Sequence, residues 1–176
     1  ALVSLTLLHA CANLANDFFD HLSGNDALNT TFVSPFTGGS RVIQRGEARP
    51  WEVATAAFVC LTVAALIGFY LVYRAGWPVL WLGLIGGLTG VFYTAPPFRF
   101  AYRGSGEPFI FLDFGLLPVL GAYYLQTGRF DSAAFWAGVP VGLLITAILW
   151  INQFQDMAAD AAVGKRHWVV RLGRRR

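Results

Sequence analysis

Residues 51–73 read WEVATAAFVCLTVAALIGFYLVY. About 20 apolar residues carry an α-helix across the hydrocarbon core of a bilayer. A helix also satisfies its own backbone hydrogen bonds there. The rest of the chain has the same character. Of its 176 residues, 56% are hydrophobic and 13% are charged. A soluble domain carries about 25% charged residues. We therefore read an all-α fold, a multi-span transmembrane helical bundle solvated by membrane lipid.

Working outward from that run, residues 1–22 form an apolar helix that turns polar at its end, and Ser23-Gly24-Asn25 supplies stop residues. Residues 23–50 form a long loop holding Pro35, Gly38, Gly39, Gly46 and Pro50. Loops of that length between spans usually have a function. Gly76-Trp77-Pro78 makes a turn, and Val79 to Tyr93 is a short third span. Gly83, Gly86, Gly87 and Gly90 within it give overlapping GxxxG spacings, which predict close helix packing. Residues 94–107, TAPPFRFAYRGSGE, form a polar loop. Pro108 to Gln126 is a fourth span, followed by a turn at Thr127-Gly128-Arg129. Ser132 to about Phe154 is a fifth, continuing as helix through Asp160 into a basic tail.

Cys11 and Cys60 lie in apolar stretches and read as buried structural thiols. His9-Ala-Cys-Ala12 resembles a signal-peptidase site, but no basic region precedes it and a polar cluster follows, so a signal peptide is rejected. The chain opens inside a hydrophobic run and closes on Arg174-Arg175-Arg176. The expectation is one transmembrane domain over residues 1–176, truncated at both ends.

Lysine and arginine set the orientation. Arg41, Arg45, Arg49, Arg99, Arg103, Lys165, Arg166, Arg171 and Arg174–Arg176 fall on one side, and Arg74 and Arg129 on the other. By the positive-inside rule the basic side is cytoplasmic, in a multi-pass protein of the cell membrane. These charges mark topology, and no nucleic-acid partner is expected.

Two acidic clusters interrupt this apolar chain. One is Asn13-Leu-Ala-Asn16-Asp17-Phe-Phe-Asp20, followed by Asp26; the other is Asn152-Gln-Phe-Gln-Asp156-Met-Ala-Ala-Asp160. Both fall on the cytoplasmic side. On a helix Asn13, Asn16, Asp17 and Asp20 lie within an arc of about 100°, and Asn152, Asp156 and Asp160 within about 80°. Each set is a polar stripe, and such a stripe in a bilayer protein should face a polar cavity. Carboxylates this close repel one another, and a bound cation removes the conflict. All-oxygen ligands favour Mg²⁺ or Ca²⁺, and Mg²⁺ commonly bridges carboxylates to substrate phosphates. Facing stripes would hold a diphosphate between them through metal. Arg41, Arg45, Arg99 and Arg103 offer countercharge, or serve topology alone. Gly38-Gly39-Ser40 offers a backbone anion nest. The bland reading of the stripes is a pair of capped, solvated helix ends. A different class is a cation-coupled transporter, which expects acids near mid-span, where only Asp113 qualifies. Asp113 reads either as a cavity residue or as a polar group paired across helices.

NDFFDHLSGND, GGSRVIQRGE, AYRGSGEPFIFLDFG with GAYYLQTG, and DMAADAAVGKRHWVVRLG together resemble the UbiA superfamily of intramembrane aromatic prenyltransferases, in its 1,4-dihydroxy-2-naphthoate polyprenyltransferase branch. The likeness runs through essentially the whole chain. It implies a bundle of nine helices, of which about five, helices two to six, are present. It implies Mg²⁺ on Asp17, Asp20, Asp26, Asp156 and Asp160. The catalytic set would be Asp17, Asp20, Asp156 and Asp160. Asn16, Asn152, Arg41, Arg45 and Lys165 would bind the diphosphate of a polyprenyl donor. The implied reaction joins that prenyl group to an aromatic acceptor, most simply 1,4-dihydroxy-2-naphthoate with loss of CO₂, in menaquinone synthesis. Acceptors of the 4-hydroxybenzoate, homogentisate or chlorophyllide type remain open. The usual first motif, NDxxDxxxD, is altered here: Gly24 stands where its last Asp would be, and Asp26 must reach the site from beyond that glycine.

Overall fold

The computed structural model describes residues 1–34 and 36–173. Pro35 of the long loop and Arg174–Arg176 of the basic tail lie outside the described residues. Helix α1 (Leu2–Ser23) ends at Gly24, whose φ of 76° is left-handed and favours glycine. One more helical turn, α2 (Asn25–Leu28), follows directly. An irregular connection leads to α3 (Pro50–Ala75), which starts with Pro50 in its first turn and Glu52 Oε2 accepting from Arg49 N at 2.6 Å. Then come α4 (Trp77–Val91), the short α5 (Phe100–Arg103) and α6 (Gly106–Phe111). Helix α6 runs through a π-helical turn, Leu112–Leu116, into α7 (Leu117–Thr127). Helix α8 (Ser132–Ala162) and the short α9 (Trp168–Leu172) complete the chain.

Among the described residues three helices are long and apolar enough to cross a membrane: α3, the continuous Gly106–Thr127, and α8. Five spans were expected. Helix α1 has 22 residues, but its last turns carry Asn16, Asp17 and Asp20. Helix α4 has 15 residues, about 22 Å of helix against a core of about 30 Å. Its start also differs from expectation. Only Gly76 serves as the turn, and Trp77 and Pro78 already belong to the helix, since proline suits a first helical turn.

Small residues decide the packing. Helix α1 lies on α3, where Ala57 and Ala64 are buried and Ser4 Oγ donates to Ala64 O at 3.1 Å. The π turn presses on α8. A Cβ on Gly115 would stand 2.5 Å from Gly142 Cα, so the two backbones touch. Of the α4 glycines expected to pack closely, only Gly86 does so, where a Cβ would stand 3.3 Å from Leu117 Cδ1. A Cβ on Gly83, Gly87 or Gly90 would meet nothing within 4 Å. Gly83, Gly86 and Gly90 border a cavity between α1, α3, α4 and α7. The tightest helix-to-helix approaches are made at Gly115, Gly138 and Gly142, on the π turn and α8.

The π turn has a local cause. Leu117 N donates to Leu112 O, five residues back. The next residue, Pro118, has no N–H to give, so the slipped register there loses no further bond. The ends of α1 and α8 that carry the acidic motifs lie together, joined by side chains described next. Gly76 and the 128–131 turn lie at the opposite end, where Arg74 and Gln126 border one shallow depression.

Candidate active site

Lys165 sits at the centre. Its Nζ is 2.9 Å from Asp20 Oδ1 and 3.2 Å from Asp160 Oδ1, with all three side chains buried. One ammonium thus joins the first acidic motif to the second. Burial opposes its charge, but Asp20 and Asp160 outweigh burial and hold its pKa above the usual lysine value. Tyr102 presents its ring 5.5 Å from Nζ.

Helix α2 makes a second junction. Asn25 Nδ2 donates to Asp160 Oδ1 at 3.1 Å, and Asn29 Nδ2 donates to Asp156 Oδ1 at 2.7 Å. Two amides four residues apart are matched to two carboxylates four residues apart. Asn16 Nδ2 supports Asp20 Oδ2 at 3.1 Å along α1. His167 approaches Asp160 Oδ2 through Nε2 at 2.9 Å, while its Nδ1 accepts from Val170 N and caps α9. An accepting Nδ1 leaves the proton on Nε2, aimed at the carboxylate.

The long loop closes over α1. Ser40 donates to Asp17 from its backbone N at 3.2 Å and from Oγ at 2.5 Å. Ser40, the last residue of the expected nest, therefore binds an anion of the protein itself. A Cβ on Gly39 would lie 2.5 Å from Asp17 Oδ1, and its φ is 71°, so glycine is required twice over. Arg41, also at positive φ, turns inward and is buried. Its guanidinium donates to Asp26 O and, at 2.7 Å, to Asn29 O, and lies 4.0 Å from the Phe32 ring. Asp26 does return past Gly24, on the turn of α2 rather than on a loop, and accepts from Gln44 Nε2 at 2.8 Å. Burial first, then Asp20 and Asp17, push its pKa up to about 6, with Arg41 and Lys165 pulling the other way.

The structure thus brings together Asn16, Asp17, Asp20, Asp26, Arg41, Asp156, Asp160 and Lys165. It leaves two expected residues at the margin. Arg45 pairs with Glu47 on the exposed loop at 2.5 Å. Asn152 is only half-buried, and its neighbour Gln153 is the buried amide, donating to the buried Glu107 at 3.2 Å. Sequence reading missed Asn25, Asn29, Glu107, Gln153 and His167. The Asn25/Asn29 spacing, a copy of Asp156/Asp160, was the one sign available.

A divalent cation can be tested against these donors. Among the described residues no three His, Cys, Asp or Glu side chains converge as a ready metal site. The donor chemistry nevertheless fits. Asn25 Oδ1 and Asp20 Oδ1 are buried acceptors that no hydrogen bond satisfies, Asp20 Oδ1 being in ion contact with Lys165 only. Oxygens of this kind suit Mg²⁺, which takes a few protein ligands and completes its shell with water and phosphate.

These features define a class, an all-α membrane protein with a polar site built of Asp and Asn at one end of an apolar bundle. Residues 1–176 match the UbiA prenyltransferase family throughout, and the chain belongs to that family. It is 32% identical to the 1,4-dihydroxy-2-naphthoate octaprenyltransferase of Haemophilus influenzae, over 98% of this chain and 56% of that protein. It is 33% identical to the enzyme of the same name from Escherichia coli, with the same coverage. Identity to the 2-carboxy-1,4-naphthoquinone phytyltransferase of Synechocystis is 32%, over 98% of this chain and 53% of that one. The chain spans about half the length of these curated relatives. No solved structure matches it.

Proposed function

We propose that this protein transfers a polyprenyl group from polyprenyl diphosphate to 1,4-dihydroxy-2-naphthoate, with loss of CO₂, in menaquinone biosynthesis. We place residues 1–176 as one stretch of a longer transmembrane prenyltransferase domain. The observation that carries the reading is Lys165 held between Asp20 and Asp160. Two acidic motifs far apart in sequence meet around one buried cation, which puts carboxylates for a divalent metal beside an ammonium for an anion. The names of three relatives point to a naphthoate or naphthoquinone acceptor.

Asp20, Asp156 and Asp160, with Asn25 Oδ1, would hold Mg²⁺, and Asp17 and Asp26 flank them. Bound Mg²⁺ would offset the charge of the diphosphate as it leaves. Lys165, with three N–H donors, binds diphosphate oxygens beside the carboxylates. Arg41 Nε, a buried donor without an acceptor, supplies a further N–H. Arg45 reaches a phosphate only by leaving Glu47. As the allylic C–O bond breaks, its electron pair departs on the diphosphate, where these donors stabilise it. The naphthoate ring carbon then bonds to the allylic carbon, and the C–CO₂⁻ pair returns to the ring. The excess of arginine and lysine at the motif end supports a cytoplasmic orientation for that end.

The test is a membrane assay of the full-length protein with Mg²⁺, a polyprenyl diphosphate, and either 1,4-dihydroxy-2-naphthoate or 4-hydroxybenzoate. Prenylated naphthol should form with the first acceptor and not the second. Asp20→Ala and Asp156→Ala should each abolish it. Near wild-type turnover in either variant removes that residue from the site, and transfer to 4-hydroxybenzoate alone replaces the acceptor.

A further inference from the structure

A cavity of about 470 Å³ lies between α1, α3, α4 and α7, outside the acidic site. Its wall is apolar except at a few points, among them Asp113 and His9. Ala12 lines its inner end, one helical turn before Asn16 of the acidic site. Gly86 and Gly90 form part of the α4 wall; a Cβ on Gly90 would meet nothing within 4 Å, and one on Gly86 would lie 3.9 Å from Asp113 Oδ1. His9 stands edge-on to Phe114, centroids 5.3 Å apart, and gives that wall an aromatic edge.

Asp113 belongs to the π turn, a feature often found at functional sites. Among the described residues no ion pair neutralises it. Thr89 Oγ1 lies 2.7 Å from Asp113 Oδ1 and also 2.7 Å from Ile85 O. The hydroxyl owns one proton for these two acceptors. With Asp113 ionised, Thr89 donates to the carboxylate. With Asp113 protonated, the carboxyl O–H donates to Thr89 Oγ1, and Thr89 turns its own proton to Ile85 O. Both protonation states are hydrogen-bonded, and they differ by a bond rotation. A purely structural polar pair needs only one of these states.

We propose that Asp113 binds the aromatic acceptor, accepting a hydrogen bond from a ring hydroxyl in this cavity and holding that proton while the ring carbon attacks. The inference rests on the prenyl-transfer reading. The proton passes from the ring hydroxyl to Asp113 as the new C–C bond forms. It returns to the same oxygen when CO₂ leaves and the ring regains aromaticity, so no net proton is released. Asp113 is then a catalytic residue, and Thr89 positions it.

The test compares wild type and Asp113→Asn in the full-length protein, with 1,4-dihydroxy-2-naphthoate and its two mono-O-methyl ethers. A positioned base contributes roughly 10²–10⁴ in rate. Asp113→Asn should therefore lower kcat/KM for the naphthoate about a hundredfold, with KM for the polyprenyl diphosphate unchanged. One ether should be poor for wild type by a similar factor, and that factor should shrink towards one in Asp113→Asn, because both changes remove the same hydrogen bond. Thr89→Val should lower kcat about tenfold, and Thr89→Ser should restore it. If Asp113→Asn fails to accumulate, the ether factor in Thr89→Val decides, and an unchanged factor overturns the proposal. Penalties that multiply for both ethers overturn it too. An active wild type beside an unimpaired Asp113→Asn sinks this inference alone. A wild type that prenylates no naphthoate sinks the transfer reading as well.

Discussion

Lys165 keeps its charge where burial alone would remove it, because Asp20 and Asp160 need that charge as much as it needs theirs. Removing one partner of a buried ion pair costs about 3–5 kcal/mol, mostly from the charge left behind. Lys165→Met should destabilise the metal-free protein by about that much, measured by chemical unfolding in detergent. Adding Mg²⁺ with diphosphate should recover a larger share in Lys165→Met than in wild type. The lysine pKa is raised, so this stabilisation is complete at neutral pH and is lost only as pH rises above the range where an unfolded lysine titrates. Asp26 has the opposite sense. Its carboxyl titrates near 6 in the fold against 3.8 when exposed. The folded state holds the proton longer, so stability should fall as pH rises from about 4 to about 6. Asp26→Asn should flatten that window. Thermal midpoints across it, in metal-free buffer, are the check, and an equal slope in both proteins would refute the assignment.

At the scale of elements, α2 is the connector. It is a single turn, too short to be stable alone, and it persists through what it touches. Asn25 and Asn29 bind Asp160 and Asp156, and Thr31 Oγ1 donates to Gln155 O at 3.0 Å. A hydrogen bond to a charged group contributes about 1.5–3 kcal/mol. Asn29→Ala should cost that much in wild type and much less in an Asp156→Ala background, in a double-mutant cycle read by denaturant unfolding. Equal costs in both backgrounds would mean that the rung is idle. Gly24 makes this connection possible, since its left-handed turn ends α1 and lets the chain start a new turn at once. The long loop is tied in the same manner, by Ser40 on Asp17 and by Arg41 on the carbonyls of Asp26 and Asn29.

For the whole molecule, the polar site lies at one end of a bundle of apolar helices. The proposed orientation puts the 29–49 loop in the cytoplasm and the 128–131 turn outside. Arg45 and Arg129 are both exposed, and Cys11 and Cys60 are the native thiols to be replaced first. An impermeant maleimide added to intact cells should then label Arg129→Cys and leave Arg45→Cys unlabelled until lysis. The reverse pattern would invert the topology.

Much of this was legible beforehand for simple reasons. Helical spans announce themselves by apolar length, and the carboxylates of Asp17, Asp20, Asp156 and Asp160 stand out because charge is costly in such a chain. Gly24 marked the end of α1 by its type alone. Residues whose roles depend on what lies opposite were not legible. Asn25, Asn29 and His167 are ordinary in sequence and matter only because Asp156 and Asp160 face them. Arg41 looked like countercharge for a ligand, yet two of its nitrogens serve backbone carbonyls of α2 and its C-cap. The α4 glycines had the spacing of a packing seam, yet only Gly86 packs closely, and Gly83, Gly86 and Gly90 border a cavity. The sequence by itself determined the helical class, the apolar solvent and the acidic motifs, since these follow from local composition and periodicity. Only the tertiary structure decided that Lys165 joins the motifs and that Asp113 borders a cavity, because both depend on which helices meet and at what depth.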